Sequence, residues 1–189
     1  HKTPLKELVE EGFFTSTNLA SMLNGAGSHI GEALTQLGQQ KPTLKELVAE
    51  GIFTSTNLSS ILNGAGRHIG EAVDAFGEHK NRLYTLIQDS PFDADNLSNM
   101  LHGSGANIGT AIEAVETRLP QLRALCEVFE PSELATYLHS KTAAQKGQAI
   151  DSLYQTHQAE IAGRTDIPAG AEPYIEAGST RSKEQGREL

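Results

Sequence analysis

One segment of this chain is written several times over. Phe14-Thr15-Ser16-Thr17-Asn18-Leu19 recurs 39 residues later as Phe53-Thr54-Ser55-Thr56-Asn57-Leu58, and a further 39 on as Phe92-Asp93-Ala94-Asp95-Asn96-Leu97. Residues 2–40 match residues 41–79 at 26 of 39 positions. A degenerate fourth copy opens at Phe129-Glu130-Pro131-Ser132-Glu133-Leu134, 37 residues after the third. A period of this length describes one supersecondary unit that cannot cover its own apolar face and is stacked on copies of itself. The plan expected is the end of a preceding repeat at 1–12 and repeats at 13–51, 52–90 and 91–128. A degenerate repeat at 129–163 and a flexible tail over 164–189 complete it. The chain opens on His1, partway through a repeat, which predicts a fragment of a longer array with more repeats upstream.

Each copy reads as helix, tight loop, helix. Thr15, Thr54 and Asp93 stand where a side chain can accept orphan amides of a first helical turn. Glu130 takes that place in the fourth copy, with Pro131 at the first helical position, where a missing N–H costs nothing. The preceding Phe (14, 53, 92, 129) and the Leu five residues on have the spacing of a hydrophobic staple. A loop with two glycines follows: Asn24-Gly25-Ala26-Gly27, Asn63-Gly64-Ala65-Gly66 and His102-Gly103-Ser104-Gly105. The second helix carries apolar residues at helical spacing, such as Ile69, Ala72, Val73 and Phe76, and an amphipathic segment (Leu44 to Val48, Leu83 to Ile87) closes the repeat. The fold class is therefore all-α, a solenoid of tandem helix–loop–helix repeats with a period of 39 residues.

Composition narrows the function. Hydrophobic residues make up 38%, with two Met and no Trp, which suits small side chains at repeat contacts. No run of 18 apolar residues occurs, so no membrane-spanning helix and no membrane partner is expected. A single cysteine, Cys126, set among Leu122, Leu125, Val128 and Phe129, excludes a disulfide framework and reads as a core residue. The net charge of −9 argues against generic polyanion binding. Gly64-x-Gly66-x-x-x-Gly70 has the wrong spacing for a dinucleotide fingerprint and follows a helix rather than a strand. His29 and His68 read as polar helix-start residues rather than metal ligands. With no nucleophile elbow and no defensible catalytic set, a non-enzymatic module without cofactor or metal is expected.

The run Asn63-Gly64-Ala65-Gly66-Arg67-His68-Ile69-Gly70-Glu71-Ala72-Val73 resembles the repeats of transcription activator-like effectors and their bacterial relatives, whose pattern is Asn-Gly-Gly-Gly-Lys-Gln-Ala-Leu-Glu-Thr-Val. Glu116-Thr117-Arg118-Leu119-Pro120-Gln121-Leu122-Arg123-Ala124-Leu125-Cys126 is similar to the same family's second helix. The resemblance spans roughly residues 13–160 and implies a right-handed superhelix, monomeric, that binds double-stranded DNA one base per repeat. Carried over, Asn24-Gly25, Asn63-Gly64, His102-Gly103 and His139-Ser140 face the bases, the second residue of each pair doing the reading. Asn-Gly and His-Gly are thymine-reading pairs in that family, and a glycine leaves room for the thymine methyl in the major groove. The first residue of each pair is expected to bond back to its own helix. The phosphate-contacting positions fall on Gly27, Ser28, His29, Gly66, Arg67, His68, Gly105 and Asn107.

Two departures bear on that expectation. The family's phosphate-contacting Lys-Gln is replaced by Ser28-His29, Arg67-His68 and Ala106-Asn107. Residues 13–160 hold 9 Lys+Arg against 16 Asp+Glu, a balance of −7, whereas duplex binding draws most of its free energy from phosphate neutralisation. The alternative is a protein-binding scaffold, since solenoids present concave faces to protein partners. In that case the chain is part of a secreted bacterial effector that engages a host protein.

Overall fold

The computed structural model describes residues 2–63 and 65–165 of the chain. Gly64 and the expected tail from residue 166 onward lie outside the described residues. The described residues form twelve α-helices and no strand. In chain order they are α1 (Lys2–Glu10), α2 (Ser16–Leu23), α3 (Ile30–Gln39), α4 (Lys41–Ala49), α5 (Ser55–Leu62) and α6 (Ile69–Glu78). Then come α7 (Lys80–Gln88), α8 (Ala94–Leu101), α9 (Ile108–Thr117), α10 (Leu119–Leu125), α11 (Pro131–His139) and α12 (Ala143–Thr165). Short 3₁₀ turns at Gly27–His29, Gly66–His68 and Gly105–Asn107 lead into α3, α6 and α9.

The first helix of each copy starts where its cap residue is placed. Thr15 Oγ1 accepts the Asn18 amide at 3.1 Å, and Asn18 Oδ1 accepts the Thr15 amide at 3.0 Å. Thr54 and Asn57 repeat the exchange at 3.1 and 2.9 Å. Asp93 accepts the Asn96 amide at 2.8 Å, and Glu133 accepts the Glu130 amide at 3.0 Å. These bonds satisfy orphan donors of the first turn and fix where each helix begins.

The segment closing each repeat is a full third helix, so the unit is three helices rather than two. One residue in the bridge region separates second from third: Gln40 (φ −85°, ψ 4°), His79 (φ −98°, ψ 10°) and Arg118 (φ −107°, ψ 15°). Pro42 and Pro120 stand in the first turn of α4 and α10, where the missing N–H and the ring interrupt a continuous helix. α12 has no such break and runs 23 residues through the place of both helices, to Thr165, slightly past the expected end of the pattern.

Equivalent helices pack on one another from repeat to repeat. α2, α5, α8 and α11 form one row, and α3, α6, α9 and α12 a second. The third helices α1, α4, α7 and α10 lie against that second row. The core between them is Leu, Ile, Val and Ala with a few rings, including Phe53 edge-on to Phe76 at 5.7 Å. Ile69 and Ile108 at the second-helix starts are fully buried, while Ile30, at the same place in the first copy, is 49% exposed.

Candidate functional site

The three glycine-bearing loops adjoin one another along one edge. The 3₁₀ turns contact each other in sequence, first to second and second to third. Asn24 Nδ2 donates to Asn63 Oδ1 at 3.4 Å, linking the first residues of loops one and two. The Gly25 carbonyl oxygen sits 3.0 Å from where a Cβ on Gly66 would stand, so the two loop backbones touch. At the far end the His102 and His139 rings stack 4.2 Å apart at 9°. Asn24, Gly25, Gly27, Ser28, His29, Arg67, Gly103, Asn107, His139 and Ser140 are exposed there; Asn63, His68, His102 and Gly105 are half-buried.

The loop backbone explains its glycines. In loop three the Ser104 amide donates to the Leu101 carbonyl at 3.3 Å, His102 is extended (φ −54°, ψ 146°), and Gly103 has φ +71°. This is a type II turn, which demands a left-handed residue in its third position. Asn63 opens loop two in the same way (φ −61°, ψ 122°), but Asn24 stays helical (φ −62°, ψ −7°). Identical Asn-Gly-Ala-Gly loops thus open on two different backbone conformations at their first residue.

Several expected contacts change character in the structure. The first loop residue ties down a neighbouring repeat, not its own helix. His102 Nδ1–H donates to the Ser60 carbonyl on α5 at 2.9 Å, and Asn24 reaches Asn63. Gly66, expected at a phosphate, is buried against the preceding loop. The amides of His29, His68 and Asn107 donate to the carbonyls of Ala26, Ala65 and Ser104 at 2.8–3.0 Å. These backbone amides are therefore engaged within their own loops. His29 Nδ1 lies 3.5 Å from Glu32, and His68 Nδ1 3.2 Å from Glu71. Arg67 Nε donates to His68 Nε2 at 3.1 Å.

Most other cations are engaged on the third-helix face. Lys41 bonds Glu7 and Glu11, Lys45 bonds Glu11, Lys80 bonds Glu46 and Glu50, Arg82 bonds Glu116, and Arg118 grips Asp151 with two bonds of 2.8 and 2.9 Å. The hydrogen bonds it donates to Glu7 and Glu11 raise the Lys41 ammonium above the ordinary lysine range, and the bond from Lys80 lowers Glu46. Arg123 donates to the Asp89 carbonyl. Arg67 and Lys141, the latter over the Tyr137 ring, are left near the loops.

Lys146 went unnoticed in the sequence. Fully buried, its ammonium donates to the carbonyls of Leu138 and Lys141 at 2.8 Å each and reaches that of His102 at 3.5 Å. Burial pushes it down to about 8. Aligning Gly147 on Gly109 puts it where Ile30, Ile69 and Ile108 stand, so a charge at an apolar position was the available signal. Cys126 is half-buried with its thiol pushed up to about 11, by burial first and by Glu127 and Glu130 second.

An open groove of about 500 Å³ between α9 and α12, lined by Thr110, Glu113, Arg118 and Asp151 among others, is formed by helix faces rather than by the loops. Among the described residues no group of three or more His, Cys, Asp or Glu could hold a metal ion, and no helix is long and apolar enough to cross a membrane. No protein-family model, curated protein or solved structure matches the chain.

Proposed function

We propose that this chain is a right-handed α-solenoid module, without catalytic activity, that binds double-stranded DNA along its loop edge and prefers a T-rich strand. The observation that carries the reading is loop-to-loop contact. Packed helices keep their axes about 8–10 Å apart, yet the backbones of loops one and two touch, with the Gly25 oxygen against Gly66. Loops in direct contact suit neighbouring nucleotides of one strand, which rise about 3.4 Å each along the duplex axis. The resemblance to transcription activator-like effector repeats supplies the ligand class. Gly103, with nothing within 4 Å of the place a Cβ would occupy, offers the open backbone a thymine methyl requires.

A second reading, a protein-binding scaffold, is favoured by the charge. The net charge is −9, and the third-helix ion pairs engage five of the nine lysines and arginines between residues 13 and 160: Lys41, Lys45, Lys80, Arg82 and Arg118. The two readings separate in an anisotropy titration of T-tract and scrambled duplexes at low and physiological salt. DNA binding predicts tighter binding to the T-tract, and a Gly103→Asn variant that keeps the left-handed turn but loses part of the T preference. Absence of binding at low salt, or binding blind to sequence and unchanged in Gly103→Asn, favours the scaffold.

A further inference from the structure

Four of the seven histidines, His29, His68, His102 and His139, lie on the loop edge. His68 Nε2 accepts the Arg67 Nε–H at 3.1 Å while Nδ1 faces Glu71, an arrangement that needs a lone pair on Nε2 and hence a neutral ring. A second proton on His68 sets donor against donor. The Arg67 guanidinium is then released toward solvent, and His68 becomes a cation held by Glu71. His29 has Glu32 as its charged neighbour and no arginine, Ser28 standing in Arg67's place. His102 and His139 are packed face to face, with the Lys146 ammonium on the His102 carbonyl and Lys141 two residues beyond His139. Burial first, and the stacked His139 ring second, hold the His102 imidazole below its ordinary range. Near neutral pH the edge is close to balanced, Arg67, Lys141 and the Lys146 ammonium against Glu32 and Glu71. Protonating His29 and His68 adds two positive charges to loops that touch.

We propose that the loop edge is an acid-gated polyanion surface, whose hold on duplex phosphates strengthens as its histidines protonate. This rests on the reading of the edge as a DNA-binding face and adds its regulation. Each further phosphate neutralised deepens the dependence of log affinity on log salt by about 0.9. Two added cations therefore predict a slope steeper by about 2 and binding tighter by roughly tenfold or more at low salt.

The test is a salt titration of the full chain against a rhodamine-labelled T-rich duplex at about pH 8 and about pH 5.5. Wild type, His29→Gln/His68→Gln and, as a control away from the loops, His157→Gln are compared, with helical circular dichroism verifying each fold. Wild type and His157→Gln should show the steeper slope and tighter binding at acid pH, and the double variant should lose most of both. An acid effect that survives in the double variant, or equal slopes at both pH values, overturns the proposal and leaves the DNA reading standing. No binding of the duplex at either pH overturns the DNA reading itself.

Discussion

Ser104 and Lys146 sit within one loop of each other and illustrate opposite treatments of a buried polar group. Ser104 occupies the place held by Ala26 and Ala65, and its buried hydroxyl has no hydrogen-bond partner among the described residues. Removing an unsatisfied hydroxyl while keeping the shape relieves a desolvation cost. Ser104→Ala should therefore raise unfolding stability by about 1 kcal/mol in urea titration. Lys146 is the satisfied case, its ammonium capping carbonyls at the end of α11. Lys146→Met takes the ammonium from the Lys141 carbonyl and leaves Leu138 with its backbone donor alone, and should cost roughly 1–3 kcal/mol near neutral pH. The pH dependence has a definite sign. With the folded value lowered to about 8 from an ordinary 10.5, the unfolded chain binds the extra proton between those limits. The Lys146 contribution to stability then rises with pH across that window. Unfolding titrations from about pH 8 to 10 should show this rise in wild type and not in Lys146→Met; parallel profiles would contradict the assignment.

Among the elements, those whose ends are set by local chemistry were legible in the sequence. Thr15, Thr54 and Asp93 announced their helices because a short oxygen-bearing side chain before an apolar period is itself the cause of the helix start. Thr54→Ala should lower the melting stability by about 1 kcal/mol, while Ser55→Ala, one residue inside the helix, should change it little. The third helix was visible only as an amphipathic segment. The break before it rests on one residue at Gln40, His79 or Arg118, and His79 shows that the break persists without a proline in the next turn. The loop contacts were less legible still. Glycine at 103 was expected as room for a ligand, and the turn requires it for its own closure. The His102–Ser60 bond and the His102–His139 stack join residues 42 and 37 positions apart, so only the stacking of repeats brings them together. Asn24 and Asn63, alike in sequence, adopt different backbones, and nothing local in the two loops distinguishes them.

For the molecule as a whole, repetition acts twice. It builds the rows of first and second helices, and it repeats the ion pairs, so that Lys41 on Glu7 and Glu11 is followed by Lys80 on Glu46 and Glu50. The third-helix face is thereby electrically paired, and the loop edge carries glycine, asparagine, histidine and Arg67. This division distinguishes the two faces and puts the proposal that the loop edge is the face that docks within reach of one measurement. Amide chemical-shift mapping of the chain titrated with a T-rich duplex should move residues 24–29, 63–68 and 102–107 together and leave α4 and α7 in place. Shifts concentrated on α4 and α7, with the loops unmoved, would contradict it.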